Sequence, residues 1–136
     1  MSRSSPREDA LVPQDLLYTP DHEWVRINPD SKTVRVGITD FAQESLGDIV
    51  FISLPDVGQA LEPGKSCGEV ESTKSVSEVF SPIEGVVTER NDRLEDKPEL
   101  VNSDPYGSGW LLVAELTTPA TGLLEPGEYE ALTSAV

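Results

Sequence analysis

Hydrophobic and polar positions alternate with a period of two along much of the chain, and the rhythm is broken every few residues by glycine or proline. Val34, Val36 and Ile38 alternate with Arg35 and Gly37, the pattern of a strand with one buried face. A strand at 23–27 precedes it, with a turn over 28–32 between the two. Asp40 followed three residues later by Gln43 reads as a capping box and Gly47 as the matching stop, so a short helix is expected over 41–46. Ile49, Val50, Phe51 and Ile52 are apolar on both parities, which predicts a strand covered on both faces. A short strand ends near 60–61.

Strands at 66–71 and 76–80 are expected to pair across Ser72-Thr-Lys-Ser75, although that link lacks the Asn-Gly or Asp-Gly of the commonest two-residue hairpins. A turn at 82–85 leads into a strand at 86–88. Pro98 can open a single helical turn through Val101, since a first-turn proline gives up no needed hydrogen bond. Residues 110–116 form a further strand. Tyr129 and Leu132, three apart after Pro126, predict a short terminal helix with one face on the core. Many short strands between turns make the class mainly β, a small barrel or flattened sandwich.

Length and charge narrow this picture. The 136 residues suffice for one domain, expected over 16–136, behind a disordered or loosely ordered leader at 1–15. That leader has no apolar stretch behind its arginines, and it carries Glu8 and Asp9, which argues against both a secretory signal and a transit peptide. A bacterial cytoplasmic location is the expectation. No apolar run reaches membrane-spanning length, so no membrane association is expected. A net charge of -15 repels a nucleic-acid backbone and suits a monomer that visits protein partners through a restricted docking face. Cys67 stands alone, so no internal disulfide is possible and a small core residue is expected.

The usual catalytic constellations are missing. His22 is the one histidine, no Gly-x-Ser-x-Gly elbow occurs, and Cys67 with His22 falls short of the four ligands zinc takes. Gly107-Ser-Gly109 lacks the spacing and lysine of a phosphate loop. A non-catalytic chain is expected. Lys74 remains, at the tip of the expected hairpin between small hydroxylic neighbours, with Glu69, Glu71 and Glu78 on the flanking strands.

The segment from Gly68-Glu-Val-Glu-Ser-Thr-Lys74 to Val87 resembles the lipoyl-lysine segment of the glycine cleavage H-protein family. Three further blocks agree: Asp21-His-Glu-Trp24; Gly37-Ile-Thr-Asp-Phe-Ala-Gln43 with Leu46-Gly-Asp-Ile-Val50; and Pro98-Glu-Leu-Val-Asn-Ser-Asp-Pro-Tyr-Gly-Ser-Gly-Trp110. Together they cover about residues 18 to 133. Biotin carriers usually have Met on both sides of the modified lysine, and 2-oxoacid dehydrogenase lipoyl domains usually have Asp before it; Thr73 and Ser75 stand here. The family more often has Val-Lys-Ala, a mild departure that keeps the site small.

The resemblance implies a flattened barrel-sandwich hybrid of the lipoyl/biotinyl type, with short helices including one at the C-terminus. It implies lipoic acid in amide linkage to Lys74 and a carrier role. That carrier takes an aminomethyl group from glycine decarboxylase to the tetrahydrofolate-dependent aminomethyltransferase, and its dithiol to dihydrolipoyl dehydrogenase. Lipoylating enzymes are implied as further partners, and relay of lipoyl groups to 2-oxoacid dehydrogenases as an alternative role. An unmodified interaction module that kept the fold is a third. For the cleft that shelters the loaded arm, Glu23 is the first candidate and Glu78, four residues past Lys74, the second. Core packing and a backbone hydrogen bond are the expectation for His22 and Trp24. Glu69, Glu71 and Glu78 are expected to form a negative collar read by basic surfaces on the modifying enzymes.

Overall fold

A computed structural model describes residues 12–134, so the expected leader falls outside the described residues except for 12–15. Within that stretch the Tyr18 hydroxyl donates to the Pro13 carbonyl, and Val12 packs partly on an aromatic cluster.

Among the described residues nine strands build two antiparallel sheets. The larger takes β1 (Leu17–Tyr18), β2 (Glu23–Ile27), β3 (Thr33–Ile38), β9 (Leu112–Leu116), β8 (Gly85–Arg90) and β5 (Ala60–Leu61), in that spatial order. The smaller takes β4 (Ile49–Ser53), β6 (Ser66–Ser72) and β7 (Val76–Phe80). Val25, Val34, Val36, Ile38, Leu112 and Ala114 point from the large sheet into the main core, meeting Ile49, Ile52, Val70 and Val79 of the small sheet. That is the two-layer arrangement period-two patterning demands, and the mainly β expectation holds.

Helical pieces seal the ends: α1 (Asp40–Leu46), the single turns α2 (Arg93–Asp96) and α3 (Leu100–Ser103), and α4 (Pro126–Ser134). On the other face of the large sheet Leu16, Tyr18, Trp24 and Tyr129 form a second buried cluster, where the Tyr18 and Tyr129 rings stack at 4.6 Å. Gly37 belongs to that face. A Cβ there would lie 2.6 Å from the Trp24 indole, so the strand position is glycine because the indole occupies its side-chain space.

Three expectations need correction. The strand at 49–52 is not covered on both faces. A bulge between Ile49 and Phe51 turns Val50 and Phe51 outward together, and β4 belongs to a sheet whose outer face is open. The cap of α1 is Thr39, not Asp40: the Thr39 Oγ1 accepts from the Ala42 N–H, while Asp40 Oδ1 accepts from the Gln43 side chain. At the terminal helix Tyr129 is buried but Leu132 is left 37% exposed.

Candidate functional site

Lys74 occupies the turn between β6 and β7. The Ser72 N–H donates to the Ser75 carbonyl at 2.8 Å, which closes the hairpin over Thr73 and Lys74. No glycine supplies the turn. The buried Ser72 Oγ does so by accepting from the N–H groups of both Lys74 (3.2 Å) and Ser75 (3.1 Å), a side-chain substitute for turn chemistry. The Thr73 N–H donates to the Asp48 carbonyl at 3.0 Å and ties the tip to the corner between α1 and β4.

That corner is itself braced. Gly47 ends α1 at φ +83°, a left-handed conformation that L side chains rarely adopt, with its N–H on the Gln43 carbonyl. Asn102 of α3 then clamps it: its Nδ2 donates to the Gly47 carbonyl and to Gln43 Oε1, and its Oδ1 accepts from the Ile49 N–H. Sequence reasoning passed over Asn102, whose partners lie 53 to 59 residues away. The Lys74 stem lies over Gly47, its Cε 3.6 Å from where a Cβ would stand. Lys74 is exposed and makes no ion pair among the described residues.

Glu23 lies elsewhere, at the start of β2, only 2% exposed. Its Oε1 accepts from the Thr19 hydroxyl at 2.6 Å and its Oε2 from the Phe80 N–H at 3.1 Å, so one carboxyl bridges the large sheet to β7. Burial pushes its pKa from an ordinary 4.5 up to about 7, against the two hydrogen bonds, with Asp21 adding to the rise. Strand parity carries the signal for its burial, because Glu23 shares a face with inward-pointing Val25. Glu78 is exposed on β7, directly opposite Glu69 in register, and hydrogen-bonds to neither Glu23 nor Lys74.

Beside Glu23, His22 holds a positive φ of 70°. Its ring stacks on Phe41, its Nδ1 lies 2.8 Å from the Tyr129 hydroxyl, and burial lowers its pKa. His22 Nδ1, the Tyr129 hydroxyl and the Thr39 hydroxyl thus form a chain of hydrogen bonds, the last link 2.7 Å long. Trp24 packs in the second cluster and its Nε1 donates to the Pro105 carbonyl at 3.0 Å. A recess of about 330 Å³ opens between α1 and α4, lined by Phe41, Glu44 and Tyr129 among others. Among the described residues no cluster of His, Cys, Asp and Glu could hold a metal, and no helix is long and apolar enough to cross a membrane.

Residues 16–135 match the family model described as Glycine cleavage H-protein. The chain is 55% identical over 119 residues to the glycine cleavage system H protein of Herpetosiphon aurantiacus, covering 88% of this chain and 91% of that one. It is 56% identical over 124 residues to the protein of that name from Mycobacterium avium, with 87% and 93% covered. A crystal structure of a glycine cleavage system H protein from Mycobacterium marinum superposes with a TM-score of 0.84 at 45% identity, covering 90% of this chain and 99% of that one. The expected fold, sandwich, short helices and terminal helix included, is borne out.

Proposed function

The chain belongs to the glycine cleavage H-protein family, and from that premise we propose that it is the lipoyl carrier of glycine cleavage, with Lys74 as the attachment residue. The observation that carries the reading is the exposed Lys74 amine at a hairpin tip, held out between small Thr73 and Ser75 with its stem resting over Gly47. Acylation would add no bulk to a packed surface and would remove a charge that no described carboxylate pairs with. The residues present fit the group. When bound, lipoic acid supplies a dithiolane disulfide that accepts the aminomethyl cargo and returns as a dithiol. Glycine decarboxylase, the aminomethyltransferase, dihydrolipoyl dehydrogenase and the lipoylating enzymes are the partners this role requires.

The protein's own part is positioning. Ser72, Asp48 and Asn102 fix the point from which the Lys74 stem leaves the surface. Glu23 is the carboxylate we assign to hold the cationic amine of the cargo. A cation beside it would lower its pKa from about 7 and favour the charged carboxylate. Glu78, exposed and in register with Glu69, is the weaker candidate.

Intact-mass measurement on the chain from its native host, paired with Lys74→Arg, tests the attachment. A lipoyl increment is expected on the wild-type chain and absent from the variant. Glycine-dependent release of carbon dioxide with purified partners tests the pathway. An unmodified Lys74 in the host would leave an interaction module on the same fold, and a modified chain inactive in that assay would favour lipoyl relay.

A further inference from the structure

Among the described residues nothing covers the outer face of the small sheet, and register fixes what stands on it. Phe51 of β4, Glu71 of β6 and Val76 of β7 form one row across the three strands; Ser53, Glu69 and Glu78 form the next. Phe51 is 57% and Val76 58% exposed, and Val50 beside them is also exposed. Exposed large hydrophobics among the described residues are Ile27, Val50, Phe51, Val57, Val76 and Leu132, so half of them lie on this sheet, and Phe51 is the one aromatic.

The second row is unfavourable for the sheet alone. Glu69 and Glu78 face each other directly, and like charges so placed oppose strand pairing. Neither they nor Glu71 form an ion pair among the described residues. An apolar pair next to uncompensated carboxylates is the composition of an interface centre with a charged rim. The first row ends one turn from Lys74, because Glu71 and Val76 are the last pair before the hairpin tip.

We propose that this outer face is the docking surface for the partner that loads the Lys74 arm, glycine decarboxylase in the carrier reading, which would offer an apolar recess to Phe51 and Val76 with arginine or lysine around it for Glu69 and Glu71. The inference rests on the carrier reading above. Charge selects the occupant. A second copy would set three carboxylates against three, and nucleic acid or an anionic membrane would be repelled, whereas a basic protein face is attracted.

The test uses purified glycine decarboxylase, the lipoylated wild-type chain and unlipoylated Lys74→Ala chains with and without substitutions on the face. The Lys74→Ala chain cannot carry an arm, so its competition against the lipoylated wild-type chain measures docking by the face alone. Competition is expected, weakened on the order of ten-fold or more by Phe51→Ser with Val76→Ser. Glu69→Gln, which relieves the repulsion with Glu78 and so should fold at least as well, is expected to flatten the salt dependence of the inhibition constant. No competition by Lys74→Ala, undiminished competition by the double variant, or an unchanged salt slope for Glu69→Gln each overturns the inference. Failure of the carrier reading has a different signature: the lipoylated wild-type chain itself would support no carbon dioxide release, and the docking proposal would fall with it.

Discussion

Burial pushes the Glu23 carboxyl up to about 7 despite two hydrogen-bond donors, so it couples stability to pH with an unusual sign. Its folded value lies above its ordinary one. Its contribution is therefore full below about pH 4.5 and is lost as pH rises through 7, a change of roughly 3 kcal/mol. His22 runs the other way: burial lowers its pKa, so its contribution is lost as pH falls below its ordinary value. Denaturation of wild type and Glu23→Gln at pH 4.5 and 7.5 isolates the first effect. The stability difference between the two chains should shift toward the variant as pH rises, and a constant difference would refute the assignment. In the loaded carrier, Glu23→Ala should shorten the lifetime of the aminomethyl cargo. Of these residues, the sequence made Lys74 and Glu23 visible through the blocks they sit in. Thr39 was hidden because Asp40, next door, is an equally good cap by type.

Elements were most legible where alternation is clean, as in β3. β1 escaped because two residues hold no period, and α2 because a single turn has no apolar stripe. The outward turn of Phe51 escaped for a different reason: a bulge shifts parity without changing composition. The weak hairpin signal at 72–75 is explained by Ser72, whose hydroxyl replaces the turn residues. Ser72→Ala should expose that dependence. Hydrogen exchange at the Lys74 and Ser75 amides should quicken, with a stability loss of about 1–3 kcal/mol, since two donors at the turn lose their acceptor. Unaltered exchange would mean the backbone bonds from Ser72 to Ser75 and from Thr73 to Asp48 hold the turn without the hydroxyl. Gly37→Ala probes the large sheet likewise, and the indole contact predicts a loss of about 1–3 kcal/mol in thermal or chemical denaturation.

For the whole molecule the governing quantity is charge. A net -15 over 136 residues leaves the folded chain repelling itself, even with Arg90 gathering Asp56, Asp92 and Glu95 at 2.9–3.3 Å. Raising salt from about 10 mM to about 300 mM should screen that repulsion and raise Tm by a few degrees, roughly 3 °C for each kcal/mol recovered. A Tm that falls with salt would show that the Arg90 network outweighs the repulsion. The tie between Thr73 and Asp48 bears on this molecule in one more way. It gives an arm on Lys74 a fixed pivot, so the free end searches a small volume above the protein's own surface. Short tethers of that kind give effective concentrations on the order of millimolar. A cleft of only millimolar affinity would thus hold the arm half the time, and a visiting enzyme need bind it only slightly better to draw it away.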